Sequence, residues 1–171
     1  RVIGVFTLTP YDVWRRSHSI HHSHAGDLDH RGIGDITTLT IEEYHQRTPF
    51  GRFLYRAYRH PLVMFGVGPT YIFMLLNRLP VDFMKDGKKY WISAMGTNAG
   101  IAAMLALIVW LGGWQSLFLV FLPTTLLGAS VGVWLFYVQH QFETTQWDQP
   151  EDWQMHDAAL HGSSHYDLPP I

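Results

Sequence analysis

A chain of 171 residues is long enough for one soluble domain, yet 47% of it is hydrophobic, 15% aromatic and only 15% charged, below the roughly 25% charged usual for soluble domains. The formal net charge of −2 is near neutral, so nothing suggests a nucleic-acid binder, whose phosphate contacts need a clustered basic face. With no cysteine and 11 histidines, disulfides, thiolate nucleophiles, cysteine-held zinc and iron–sulfur clusters are excluded, and any metal must sit on histidine or carboxylate.

In chain order, residues 1–17 begin as a short apolar run that breaks at Pro10, with Asp12 expected to cap a helix running through Trp14 into a histidine cluster. The opening residue is Arg1, which reads as an internal start, and no targeting segment is visible. Residues 25–40 are rich in Gly, Asp and Thr and predict a loop. Thr40 and Glu43 then stand at capping-box spacing, and this helical turn ends by Pro49. Residues 51–60 interleave Arg with aromatics at helical spacing, the pattern of an interfacial segment.

Three apolar stretches follow, 62–79, 92–112 and 114–138, and no Asp, Glu, Lys or Arg lies between Lys89 and Glu143. That is more than a soluble core helix contains and belongs in a bilayer. Arg52, Arg56, Arg59, Arg78, Lys85, Lys88 and Lys89 flank the first stretch, whereas the turn Gly112-Gly113-Trp114-Gln115 carries no charge. With every basic cluster on the cytoplasmic side, 62–79 becomes a non-spanning segment interrupted by Gly66, Gly68 and Pro69, and the other two become a transmembrane hairpin. Each is about 20 residues, enough for roughly 30 Å of hydrocarbon. His140 then returns to the cytoplasmic face, and a polar, acidic segment with a helix expected over 151–160 leads to Pro169-Pro170. The expected architecture is an all-α integral membrane protein, a transmembrane helical hairpin under a cytoplasmic helical cap with a His-rich metal site. Its parts are a histidine-box segment 1–61, an interfacial helix and basic loop 62–91, the hairpin 92–138 and a cytoplasmic segment 139–171.

The sharpest chemical signal is His18-Ser19-Ile20-His21-His22. Positions i, i+3 and i+4 share a helix face, so the rings of His18, His21 and His22 can converge. Imidazole suits Fe, Zn, Cu and Ni, and ligation explains why three neutral rings cluster. His140 closes an apolar segment, where an ionisable group is a functional candidate. His24, His30, His45, His60, His156, His161 and His165 lack box spacing and read as surface or interface residues. Asp27, Asp29 and Asp35 have two readings, orienting partners for metal-bound rings or loop formers, the second being the simpler. Trp110, Trp114, Trp134 and Tyr137 read as belt or packing residues, and Gly96/Gly100 and Gly128/Gly132 as close-packing sites. No HExxH, phosphate loop or Gly-x-Ser-x-Gly motif occurs.

At this point the chain resembles the membrane fatty-acid desaturase family, of the bacterial acyl-lipid omega-6/omega-3 type. The likeness rests on Leu8-Thr9-Pro10-Tyr11, Trp14 through His22, Gly26 to Asp29, Arg31 to Ile36, Val138 to Glu143, Gly162-Ser163-Ser164 and Tyr166 to Pro169. The resemblance implies that His18, His21 and His22 are the second histidine box and His140 an additional ligand after the hairpin. It implies two non-haem iron ions, O2 as co-substrate, an acyl-lipid or other acyl substrate, and an electron donor such as ferredoxin or cytochrome b5, with the metal site on the cytoplasmic face. The family's first and third boxes are expected outside Arg1–Ile171, so this segment alone is expected to be inactive and to bind metal poorly. The same resemblance leaves a hydroxylase or carotenoid ketolase of the superfamily, or a non-enzymatic membrane relative, as rivals.

Overall fold

A computed structural model describes residues 1–32 and 34–165. Ile33 and the stretch from Tyr166 through Pro169-Pro170 to Ile171 lie outside the described residues. Among those described, every regular element is helical and no strand forms, although an isolated parallel bridge joins Asp27 to Asp148.

Helix α1 (Val2–Phe6) ends before Leu8, whose φ of 54° turns the chain, and the Thr9 amide donates to the Gly4 carbonyl at 2.7 Å. Helix α2 (Tyr11–His24) starts after Pro10, which occupies the N-cap position. Asp12 is therefore not the cap. It lies in the first turn, where an anion complements the helix dipole, and it is buried, 2.8 Å from Arg1 and 3.5 Å from Lys89. Its amide also donates to Ser93 Oγ at 3.1 Å, which fastens α2 to the next long helix.

The predicted capping box is present: Thr40 Oγ1 accepts from the Glu43 amide and Glu43 from the Thr40 amide at the start of α3 (Ile41–Gln46). Helix α4 (Pro49–Tyr58) follows Thr48, whose hydroxyl accepts from the Gly51 amide. Residues Val63–Phe83 are bent by 59° from α4 and mix π-helix (Val63–Val67), a short α turn, α5 (Gly68–Thr70), and a second π-helix (Tyr71–Leu75).

Helix α6 spans Lys88–Gln115, a π-helical turn Ser116–Phe121 follows, and α7 runs Leu122–His140. The π stretches ending at Val67 and Phe121 each stop two residues short of a proline, Pro69 and Pro123. A proline removes one amide donor and crowds the preceding turn, and widening the helix relieves both. Lys88–His140 forms one 53-residue stretch long and apolar enough to cross a membrane; its most apolar 18-residue window has a mean hydropathy of 2.0 and is not buried inside the chain. Trp110, for example, is 80% exposed, a surface that water would penalise and hydrocarbon would not.

The stretch is not straight. Fifty-three residues would extend about 80 Å, yet Ser93 near one end and His140 at the other both touch α2, a helix of 14 residues. Helical backbone is broken within α6 at Gly113 (φ 69°, ψ 178°), inside the predicted turn. Near the other end of α6, Gly100 leaves room for Val5 of α1.

After His140 the chain folds back over the 25–28 loop. The Leu28 amide donates to Asp148 O (3.0 Å), that of Asp148 to Gly26 O (2.9 Å), and Trp153 Nε1 to Ala25 O (3.0 Å). The last helix, α8, starts at Met155 and ends at His161, not over 151–160 as expected, because residues 149–153 form a turn that carries the Trp153 indole to Ala25.

Candidate metal centre

Box spacing on α2 converts directly into geometry. His18 and His22, one turn apart, bring their Nε2 atoms to 3.1 Å. Trp14, a further turn back, stacks on His18 with centroids 4.7 Å apart. Burial first, and then the neighbouring His22 and His21, hold the His18 imidazole below the ordinary histidine range, which favours the neutral form a metal requires.

His21 faces inward and is only 3% exposed. Its Nε2 lies 3.1 Å from Nε2 of His140, and both rings rest against Phe136, at 5.1 and 5.5 Å between centroids. The ring of His22 is 5.4 Å from that of His21. All four predicted residues are thus adjacent, as two nitrogen pairs. Among the described residues no group of three or more His, Asp or Glu side chains converges as a complete metal site.

The far sides of the inner pair decide what lies between them. His21 Nδ1 is 2.5 Å from Asp35 Oδ1, and His140 Nδ1 is 3.1 Å from the Gly162 carbonyl. A carbonyl or ionised carboxylate oxygen only accepts, so when each Nδ1 donates to its oxygen, each neutral ring turns a bare Nε2 lone pair toward the other. Two such lone pairs at 3.1 Å need an added proton or a cation between them. With metal–nitrogen bonds of about 2.1 Å, nitrogens 3.1 Å apart subtend about 95°, the angle of neighbouring ligands on one ion, so the donor set fits a divalent transition metal.

The surrounding loop is rigidly tied. Arg31 grips the Glu43 carboxylate with two hydrogen bonds of 2.7 and 3.0 Å and donates to the Thr38 carbonyl at 2.7 Å. Hydrogen bonds from Arg31, then from the Thr40 amide, pull the Glu43 carboxyl down to about 2. Gln141, next to His140, donates to Thr38 Oγ1 at 3.1 Å and accepts from Arg59 at 2.9 Å, so the end of α7 is pinned to the same loop. A cavity of about 10 Å³, lined by His21, Asp35, Phe136, His140 and Gly162 among others, has room for a single water-sized particle.

Four other histidines make contacts of their own. His30 contacts Asp27 Oδ2 at 2.7 Å and stacks near His24, whose own Nδ1 faces the Ile20 carbonyl at 3.1 Å. His45 packs on Tyr44, and His60 accepts from the Leu62 amide. One participant escapes sequence reasoning, the Gly162 carbonyl, which has no side-chain signature. Asp35 is among the three acids read from sequence as orienting partners or loop formers, but it is 14 positions from His21 and nothing in the sequence separates it from Asp27 and Asp29.

Comparison with known proteins gives a consistent picture. A family model described as fatty acid desaturase matches residues 1–169. A fatty acid desaturase of Bacillus subtilis (strain 168) is 45% identical over 170 residues, covering 98% of this chain and 47% of the relative. The chain therefore spans about half the length of the curated relative it matches. No solved structure matches.

Proposed function

The chain belongs to the fatty acid desaturase family, and we propose that the protein introduces a double bond into an acyl chain with O2, at a di-iron centre to which His18, His21, His22 and His140 contribute ligands. The observation that carries this reading is the pair of facing Nε2 atoms of His21 and His140, 3.1 Å apart beside a second pair at the same spacing. Bound iron supplies the oxidising power toward an unactivated methylene that no side chain has. In the overall reaction two hydrogens leave adjacent methylenes, O2 is reduced to two waters, and the further two electrons and two protons come from an external donor of ferredoxin or cytochrome b5 type.

The chain's own residues supply position. Box spacing sets His18 and His22 on one face of α2, the tie between Asp12 and Ser93 fixes where α2 lies against α6, and Gln141 fixes His140. Supporting the membrane part of the proposal, residues 90–142 carry no Asp, Glu, Lys or Arg, and helical backbone is broken at Gly113. We read 92–138 as a hairpin that enters and leaves the bilayer on the cytoplasmic face, where basic residues collect. In the same reading 1–61 and 139–171 form the cap and 62–91 lies at the interface.

The test is to express the full-length protein in a host lacking polyunsaturated lipids and profile its fatty acids. A new double bond that disappears with His21→Ala and persists with His45→Ala is expected. An inserted oxygen in place of a double bond would replace the desaturase reading with that of a hydroxylase or ketolase. A lipid profile indistinguishable from that of the empty host would favour a non-enzymatic relative.

A further inference from the structure

His21 is the most enclosed of the four donors, and what encloses it is specific. Asp35 Oδ1 meets its Nδ1 at 2.5 Å, and the two side chains are only 9% and 3% exposed. A carboxylate kept this dry is costly unless paired, and its partner here is a ring nitrogen on the side away from His140. The approach depends on Gly34. That residue has φ +78°, and a Cβ placed there would sit 3.2 Å from both His21 Cβ and Ser17 Oγ. Only a glycine lets the loop press this closely on α2 and deliver the next side chain to the ring.

The two other acids of the loop are committed elsewhere. Asp27 accepts from the Asp29 amide at 2.9 Å and faces His30 at 2.7 Å. Asp29 contributes its backbone to that same turn. Of the three, Asp35 is the one whose carboxylate reaches a ring of the four-histidine cluster.

We propose that Asp35 is the positioning residue of this centre: its carboxylate fixes His21 in the Nδ1–H form and aims the unprotonated Nε2 at the point it shares with His140, where a divalent metal binds. The metal half of this statement rests on the function proposed above; the ring-orienting half does not. Partners of this kind fix ring orientation and tautomer and raise ligand basicity, and losing one lowers metal affinity about 10- to 100-fold. An asparagine at 35 would present an amide that can donate to Nδ1, so the ring hydrogen would move to Nε2 and block the donor position.

The experiment is 15N NMR of histidine side chains in the metal-free full-length protein in detergent micelles, for wild type, Asp35→Asn and Asp35→Glu, followed by titration of each with Co2+. The expected results are an Nδ1–H tautomer for His21 in wild type, a shift toward Nε2–H with 10- to 100-fold weaker Co2+ binding in Asp35→Asn, and substantial recovery of both in Asp35→Glu. An Nε2–H tautomer in wild type overturns the proposal even if Asp35→Asn fails to fold, and so do an unchanged tautomer and Co2+ affinity in Asp35→Asn. Should wild type bind no Co2+, the metal reading and that half of the proposal fall together, while the tautomers still decide whether Asp35 orients the ring.

Discussion

Replacing Gly113 by alanine isolates the break in helical backbone within α6. The residue has φ 69° and ψ 178°, a region essentially reserved for glycine, where any Cβ costs about 1–3 kcal/mol. Nothing else opposes the substitution, because an added Cβ meets no atom within 4 Å, so the penalty is purely one of backbone conformation. At about 1.4 kcal/mol per tenfold, the folded-to-unfolded ratio should fall roughly 5- to 150-fold. Gly128→Ala makes the same chemical change inside α7, again with no atom within 4 Å, and there alanine is neutral or favourable by up to about 1 kcal/mol. Unfolding in mixed micelles by added SDS, followed by tryptophan fluorescence, reads both. The reasoning fails if Gly113→Ala is as stable as wild type, since the break would then impose no conformation that alanine cannot adopt.

Other expectations follow from particular contacts. Gly34→Ala should destabilise the protein by about 1–2 kcal/mol and weaken Co2+ binding, because positive φ and the 3.2 Å approach to His21 both forbid a Cβ; equal Co2+ titrations would contradict this. Gly100→Ala would place a Cβ 2.7 Å from Val5 Cγ2 and should cost about 1–3 kcal/mol, recovered in part by Val5→Ala in a double-mutant cycle. The Glu43 carboxyl lies at about 2, down from an ordinary 4.5. The stabilisation from its pairing with Arg31 is thus complete above about 4.5 and lost as pH falls toward 2. Limited proteolysis of the 25–46 loop should accelerate in wild type across that window, whereas Glu43→Gln should be cleaved faster already at neutral pH and respond less to acid.

Legibility in the sequence tracked how local each feature is. The i, i+3, i+4 spacing of His18, His21 and His22 is a property of one helix, and the structure places those rings together as spacing requires. The Thr40–Glu43 box and the break at Gly113 are equally local. Asp12 was misread because an acid near a helix start looks the same whether it caps the helix or, as here, is buried against Arg1 and Lys89. The start of α8 was misplaced because residues 149–153 are held in a turn by a tertiary contact from Trp153 to Ala25. Asp35 was indistinguishable from its neighbours because its role depends on a 14-residue separation closed by the φ of Gly34. The backbone carbonyl of Gly162 carries no sequence signal at all.

The most direct test of the central claim is the iron content of the full-length protein purified from iron-replete cells, for wild type, His21→Ala, His140→Ala and His45→Ala. Iron should be retained by wild type and His45→Ala and lost from the two variants that break the 3.1 Å nitrogen pair. Equal iron in all four proteins would show that the facing rings of His21 and His140 do not hold the metal.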